Sequence, residues 1–167
     1  MKRLLSLQCD PSKVQECCQK INTAFKDNCW VELLPPKGKQ IRISHDLLPE
    51  EPGVIISSGG STDGPHLCLQ PRTHLNQSAF ATAKWLAKQE IKVKDCLIFN
   101  PLPIHHVSGL MAWWRSCCWG TQHQWIHPSL MRDPYKLENS YKSLLTQNTN
   151  PTITSLVPTQ LKRLLAD

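Results

Sequence analysis

Hydrophobic positions change period several times along this chain, and the changes mark out its elements. Val14, Cys17, Cys18, Ile21, Ala24 and Phe25 recur every three or four residues, the period of a helix with one buried face. Asp10-Pro11 stands just before them and supplies an N-cap and a first-turn proline, so a helix is expected to open there. Residues 30–34 form a short apolar run stopped by Pro35-Pro36, which reads as a strand, and residues 40–44 alternate polar and apolar like a second, half-exposed strand. A proline-bearing link over 46–52 follows, and then the pattern becomes strand, loop, helix, repeated. A strand over 54–58 empties into a glycine loop, and after a short extension over 67–70 the spacing predicts a helix over 73–90 with Leu75, Ala79, Ala83 and Leu86 inward. Strands are expected over 96–100, 122–126 and 153–157, and helices over 108–119, 133–147 and 158–165. Short apolar strands alternating with helices predict an α/β fold, a mostly parallel sheet flanked by helices. Two regions are expected, divided near the proline-bearing link: an amino-terminal one over 1–52 and an α/β one over 53–167.

Composition narrows the function classes. With 167 residues, 40% of them hydrophobic, the chain can bury one core. The net charge of +6 comes from 19 Lys and Arg spread without a run of four. Trp113, Trp114 and Trp119 lie in an apolar segment with Arg115 as their one cation, so a nucleic-acid platform is not expected. The eight cysteines include two adjacent pairs, Cys17-Cys18 and Cys117-Cys118, in helical segments, and no C-x-x-C occurs. They read as small apolar residues in a reducing cytosol, and His105-His106 lacks the spacing of a zinc site. The start is too short in apolar residues for a signal peptide, and no run approaches the roughly 18 residues of a membrane span. A soluble cytoplasmic protein is expected.

Ligands of parallel α/β sheets bind beyond the carboxyl ends of the strands. Three loops fall there: Ser58 to Gly64, Pro103 to Gly109, and Pro158-Thr159. The first offers glycines, which let a backbone approach a ligand closely, together with hydroxyls that donate without bulk, a profile suited to phosphate oxygens. In the second, Ser108 and Gly109 open a helix whose free N–H groups favour an anion, and His106 is placed to donate to it. Taken singly, the first loop reads equally as a flexible turn, and His106 as a packing residue bonded to backbone carbonyls.

S-S-G-G-S-T-D-G-P-H, P-L-P-I-H-H-V-S-G-L and S-L-V-P-T-Q-L-K-R-L-L occur in that order. They resemble the T-S-G-T-T-G-x-P-K-G, P-L-F-H-V-S-G-L and S-L-V-P-T-Q-L-x-R-L-L segments of the acyl-adenylate-forming ligases, the superfamily of acyl-CoA synthetases, luciferases and peptide-synthetase adenylation domains. Within it the wording is nearest to the o-succinylbenzoate:CoA ligases of menaquinone and phylloquinone synthesis. The resemblance covers residues 53–167 and implies the amino-terminal part of a ligase domain. By that resemblance Ser58, Gly59, Gly60, Ser61, Thr62 and Gly64 would hold the β- and γ-phosphates of ATP. His106 would lie between nucleotide and acyl pocket as the catalytic residue, with Ser108, Gly109 and Leu110 near the acyl carboxylate. The implied reaction joins a small-molecule carboxylate to the α-phosphate of ATP with Mg²⁺, and then forms a thioester with coenzyme A. The pattern departs at the loop's Lys, because Pro65-His66 stands where P-K is expected and leaves His66 or Arg72 as the nearest cation. The family's adenine, ribose and late lysine segments have no counterpart here, so a front fragment, inactive alone and prone to form a homodimer, is expected. A stand-alone nucleotide- or anion-binding module without catalysis is the alternative.

Overall fold

The computed structural model describes residues 3–40, 43–58 and 66–165. Strand β1 (Arg3–Gln8) runs parallel to β2 (Cys29–Leu34), β2 runs parallel to β3 (Gly53–Ser58), and β4 (His66–Pro71) returns antiparallel along β3. Their order in the first sheet is β1-β2-β3-β4. Because side chains alternate along a strand, Val31, Leu33, Val54 and Ile56 face one core while Trp30 and Ile55 face another with Leu48. The first face is covered by α1 (Val14–Lys26), which buries Cys17, Cys18, Ile21, Ala24 and Phe25 as the spacing requires. Asp10 caps the 3-10 turn that leads into this helix, accepting from the Ser12 amide at 2.8 Å.

The second sheet is wholly parallel, ordered β6 (Gln122–Trp125), β5 (Leu97–Asn100), β7 (Thr152–Thr154). Helix α3 (Val107–Trp119) lies between the sheets. Its Leu110, Met111, Trp113 and Trp114 join the core of the first, while Ala112 and Trp119 pack with Ile98 of the second. Tryptophan suits this place because its indole N–H can be satisfied inside a core. Trp114 Nε1 donates to Asn76 Oδ1 and Trp119 Nε1 to the Ala79 carbonyl, each at 3.0 Å, which ties α3 to α2 (Arg72–Ala87). Gly120, at φ 64°, ends α3 in the left-handed conformation that glycine adopts at little cost. Helix α4 (Pro134–Gln147), capped by Asp133, packs on the far face of the second sheet through Leu137, Tyr141 and Leu144, and α5 (Pro158–Leu164) adds Leu164 there.

The α/β class and its mostly parallel sheet pairing are as expected, with two corrections. The strands divide between two sheets with α3 between them rather than forming one. The alternating segment over 40–44 does not yield a strand: Gln40, Ile43 and Ser44 are irregular, and Ile41 and Arg42 lie outside the described residues. Both edges of β2 are occupied, by β1 and β3, so Ile43 instead packs beneath the Trp30–Ile55 face. The expected division at residue 52 falls between β2 and β3, neighbours in one sheet.

Candidate ligand site at the strand ends

The carboxyl end of β5 is Asn100, completely buried. Its Nδ2 donates to the Gly109 carbonyl at 2.8 Å, and its Oδ1 accepts from the Leu102 amide at 3.2 Å. One side chain thus binds the strand end, the Pro-Leu-Pro turn and the first turn of α3 together. The Asn100 amide also meets His123 Nε2 at 3.2 Å. Because the amide is a donor, Nε2 accepts and His123 carries its proton on Nδ1. Burial lowers His123 to about 4, so it is neutral at pH 7.

The turn then delivers His106 as the N-cap of α3, with its own amide bonded to the Pro103 carbonyl at 3.0 Å. No side chain caps this helix start, so its first-turn N–H groups are free of side-chain acceptors and suit an anion. The His106 ring is exposed and lies 4.4 Å, centroid to centroid, from His105. His105 is held neutral, lowered to about 4 by burial and then by His106, and its Nδ1 is buried without a partner.

His106, Val107 and Ser108 line a cavity of about 450 Å³. The other walls are Ile56 and Ser57 at the end of β3, Cys68 and Gln70 of β4, Leu102 on the turn, and Val157 just before α5. Of the three segments read from the sequence as one ligand rim, the second lines this cavity through His106, Val107 and Ser108, while the strand end before the first and Val157 just before the third border it. Two of the expected acyl-side residues do not line it. Leu110 is fully buried in the core and its amide bonds to the His106 carbonyl at 2.9 Å. Gly109 is buried where α3 crosses the turn, and a Cβ there would overlap the carbonyl oxygens of Leu102 and Pro103.

Of the expected phosphate group, Gly59, Gly60, Ser61, Thr62 and Gly64 lie outside the described residues, as does the side chain of Ser58. The flanking hairpin fixes where the loop starts and returns, since the Ser58 backbone pairs with His66. It also decides between the two candidate cations. Gly53 pairs with Pro71, so Arg72 sits at the opposite end of a six-residue ladder, roughly 15–20 Å from the loop. His66 alone of the two is at the loop. Asn100 and His123 gave no functional signal in the sequence beyond a polar residue ending an apolar strand.

A larger concavity, about 1020 Å³, lies between the outer edge of β1 and α1, lined by residues including Arg3, Glu16, Lys20 and Asp27. It is away from the carboxyl ends of the parallel strands that bear the three motif loops. Among the described residues no group of three His, Cys, Asp or Glu is arranged to hold a metal ion, and no helix is long and apolar enough to cross a membrane.

Neither a family model nor any curated protein matches this sequence. Solved structures do. An o-succinylbenzoate CoA synthetase (MenE) from Bacillus subtilis, in complex with the acyl-adenylate intermediate OSB-AMP, superposes with a TM-score of 0.72 at 17% identity, over 98% of this chain and 51% of that one. The same enzyme with ATP and magnesium ion gives 0.68 at 18% identity, over 99% and 53%. A malonyl-CoA ligase, in a ternary product complex with methylmalonyl-CoA and AMP, gives 0.66 at 16%, over 96% and 41%. The chain has the fold of the adenylate-forming ligases. It spans about half the length of these solved chains, or less. In this fold the His106 turn, the β3–β4 hairpin and Val157 meet at one place.

Proposed function

We propose that this chain supplies the phosphate-binding and acyl-binding walls of an AMP-forming acid:CoA ligase, and that the whole enzyme activates a small carboxylate, o-succinylbenzoate, through an acyl-adenylate. The observation that carries the reading is the meeting of the β3 end, the His106–Ser108 helix start and Val157 around one cavity. Its lining is mostly apolar, with the Ser57 and Ser108 hydroxyls, the His106 imidazole, the Gln70 amide and the Cys68 thiol as its polar groups and no carboxylate among the described lining residues, and these donors suit phosphate or carboxylate oxygens. Every described lining residue comes from 53–167, which supports that stretch as the ligand-binding portion on a scaffold completed by 1–52. Gly59, Gly60, Ser61, Thr62 and Gly64, with Ser58, would surround the β- and γ-phosphates. His106 and Ser108 would meet the charge that develops between carboxylate and α-phosphate, with the backbone of Gly109 and Leu110 behind them. Mg²⁺ bound with ATP would neutralise phosphate charge, and coenzyme A would be the acceptor in the second step. A cytoplasmic place accords with eight free cysteines. Nothing in the comparisons supports the expected homodimer.

A second reading, an anion- or nucleotide-binding module without catalysis, is favoured by one observation: His66 stands at the loop where a lysine would be expected. The test is pyrophosphate release from ATP, Mg²⁺ and o-succinylbenzoate by the 167-residue chain and by the chain extended with the carboxyl-terminal half of a relative. Release by the extended chain alone is expected. Release by both at one rate would contradict the division of the site, and release by neither, with ATP still bound, would favour the binding module.

A further inference from the structure

Cys9 and Cys17 belong to no part of the ligand site, yet their thiols are hydrogen-bonded to each other. Cys9 follows β1 and is fixed by its amide bond to the Leu34 carbonyl at 2.9 Å. Cys17 is the fourth residue of α1. Both are buried, 2% and 5% exposed, and their sulfurs lie 3.5 Å apart. A disulfide needs about 2.05 Å, so the sulfurs must close by about 1.5 Å.

We propose that Cys9 and Cys17 are a reversible dithiol site that takes a small disulfide of the glutathione class as its oxidant. Access is from the side of Cys17, which lines a groove of about 550 Å³ with Ser6, Gln8, Lys13 and Lys20. The two sulfurs are also chemically unequal. The hydrogen bond with Cys9, and then the Lys20 charge, hold Cys17 below the ordinary thiol value against burial and the Glu16 charge, which pull it up. That hydrogen bond and burial push Cys9 up. Cys17, which lines the groove, is assigned as the attacking thiolate and Cys9, which does not reach it, as the resolving thiol.

The step balances without a further reagent. The Cys17 thiolate attacks one sulfur of the small disulfide, whose S–S bond breaks, and one thiolate leaves and takes a proton from water. Cys9 then loses its proton to solvent, its sulfur attacks that of Cys17, and the second small thiol departs. One small disulfide is reduced to two thiols, and Cys9 and Cys17 are oxidised to a cystine. The product staples the end of β1 to α1 and leaves β2 and β3 untouched.

The experiment is incubation of the folded 167-residue chain with oxidised glutathione, trapping of free thiols by alkylation after unfolding, and peptide mapping by mass. The expected result is one cross-linked product joining Cys9 to Cys17, reversed by dithiothreitol. Exposed Cys68 and Cys117 should carry only glutathione. In Cys9→Ala, glutathione should accumulate on Cys17. Recovery of Cys9 and Cys17 as alkylated thiols, in a sample whose Cys68 and Cys117 have reacted, would overturn the proposal. So would a cross-link that joins either to another cysteine. The outcome is independent of ligase activity.

Discussion

Four residues around the α3 start carry physical loads of three kinds. His105 and His123 are both lowered from an ordinary value of 6.5 to about 4, chiefly by burial. The unfolded chain takes up these protons near pH 6.5 and the folded chain only near pH 4. Between those values the unfolded state binds more protons, so stability falls as pH falls, and above 6.5 the pair contributes no slope. Urea melts are expected to lose roughly 1–2 kcal/mol per histidine between pH 7 and pH 5. His123→Gln should keep an acceptor for Asn100 and flatten that slope. Gly109 acts by having no side chain. Gly109→Ala would force a Cβ against the carbonyls of Leu102 and Pro103, and a loss of about 2 kcal/mol or more is expected in the same melts. The exposed His106 should behave oppositely. His106→Ala in an extended, active chain is expected to keep the melting temperature within about a degree and to lower kcat by about 100-fold. Early melting with unchanged turnover would make it a packing residue.

At the scale of elements, the junction of β5, the Pro-Leu-Pro turn and α3 depends on Asn100. Asn100→Ala would strip partners from the Gly109 carbonyl and the Leu102 amide inside the protein, at an expected cost of about 2–4 kcal/mol. Amide hydrogen exchange should rise first over residues 107–110, and an unchanged exchange pattern there would show that the turn holds α3 without it. Helices were the most legible elements because their signals are local. Asp133-Pro134 caps α4 as expected, whereas Asp10-Pro11 opens a 3-10 turn that runs into α1, and the inward positions of α1 and α2 follow from spacing, save that Val14 and Ala83 are only partly buried. Strand β1 was not legible, because its order comes from pairing with β2, Arg3 opposite Cys29, and not from its own broken pattern. The same non-locality hid the division into two sheets. At the site, His106 and Ser108 could be found from a helix start after prolines. The placing of His66 at the loop, and of Arg72 away from it, needed the register of the β3–β4 ladder.

For the whole molecule, the fold sets two sheets around α3 and brings the end of β3, the His106–Ser108 helix start and Val157 to one cavity. By the proposed function this cavity, rather than the larger concavity beside β1, receives the phosphate end of a nucleotide. Amide chemical shifts of the isotope-labelled 167-residue chain, titrated with ATP and Mg²⁺, test it directly. Concentration-dependent shifts are expected at Ser57, Val107, Ser108 and Val157, with Arg3, Glu16 and Asp27 unmoved. Shifts confined to Arg3, Glu16 and Asp27, or none at all at millimolar ATP, would contradict it.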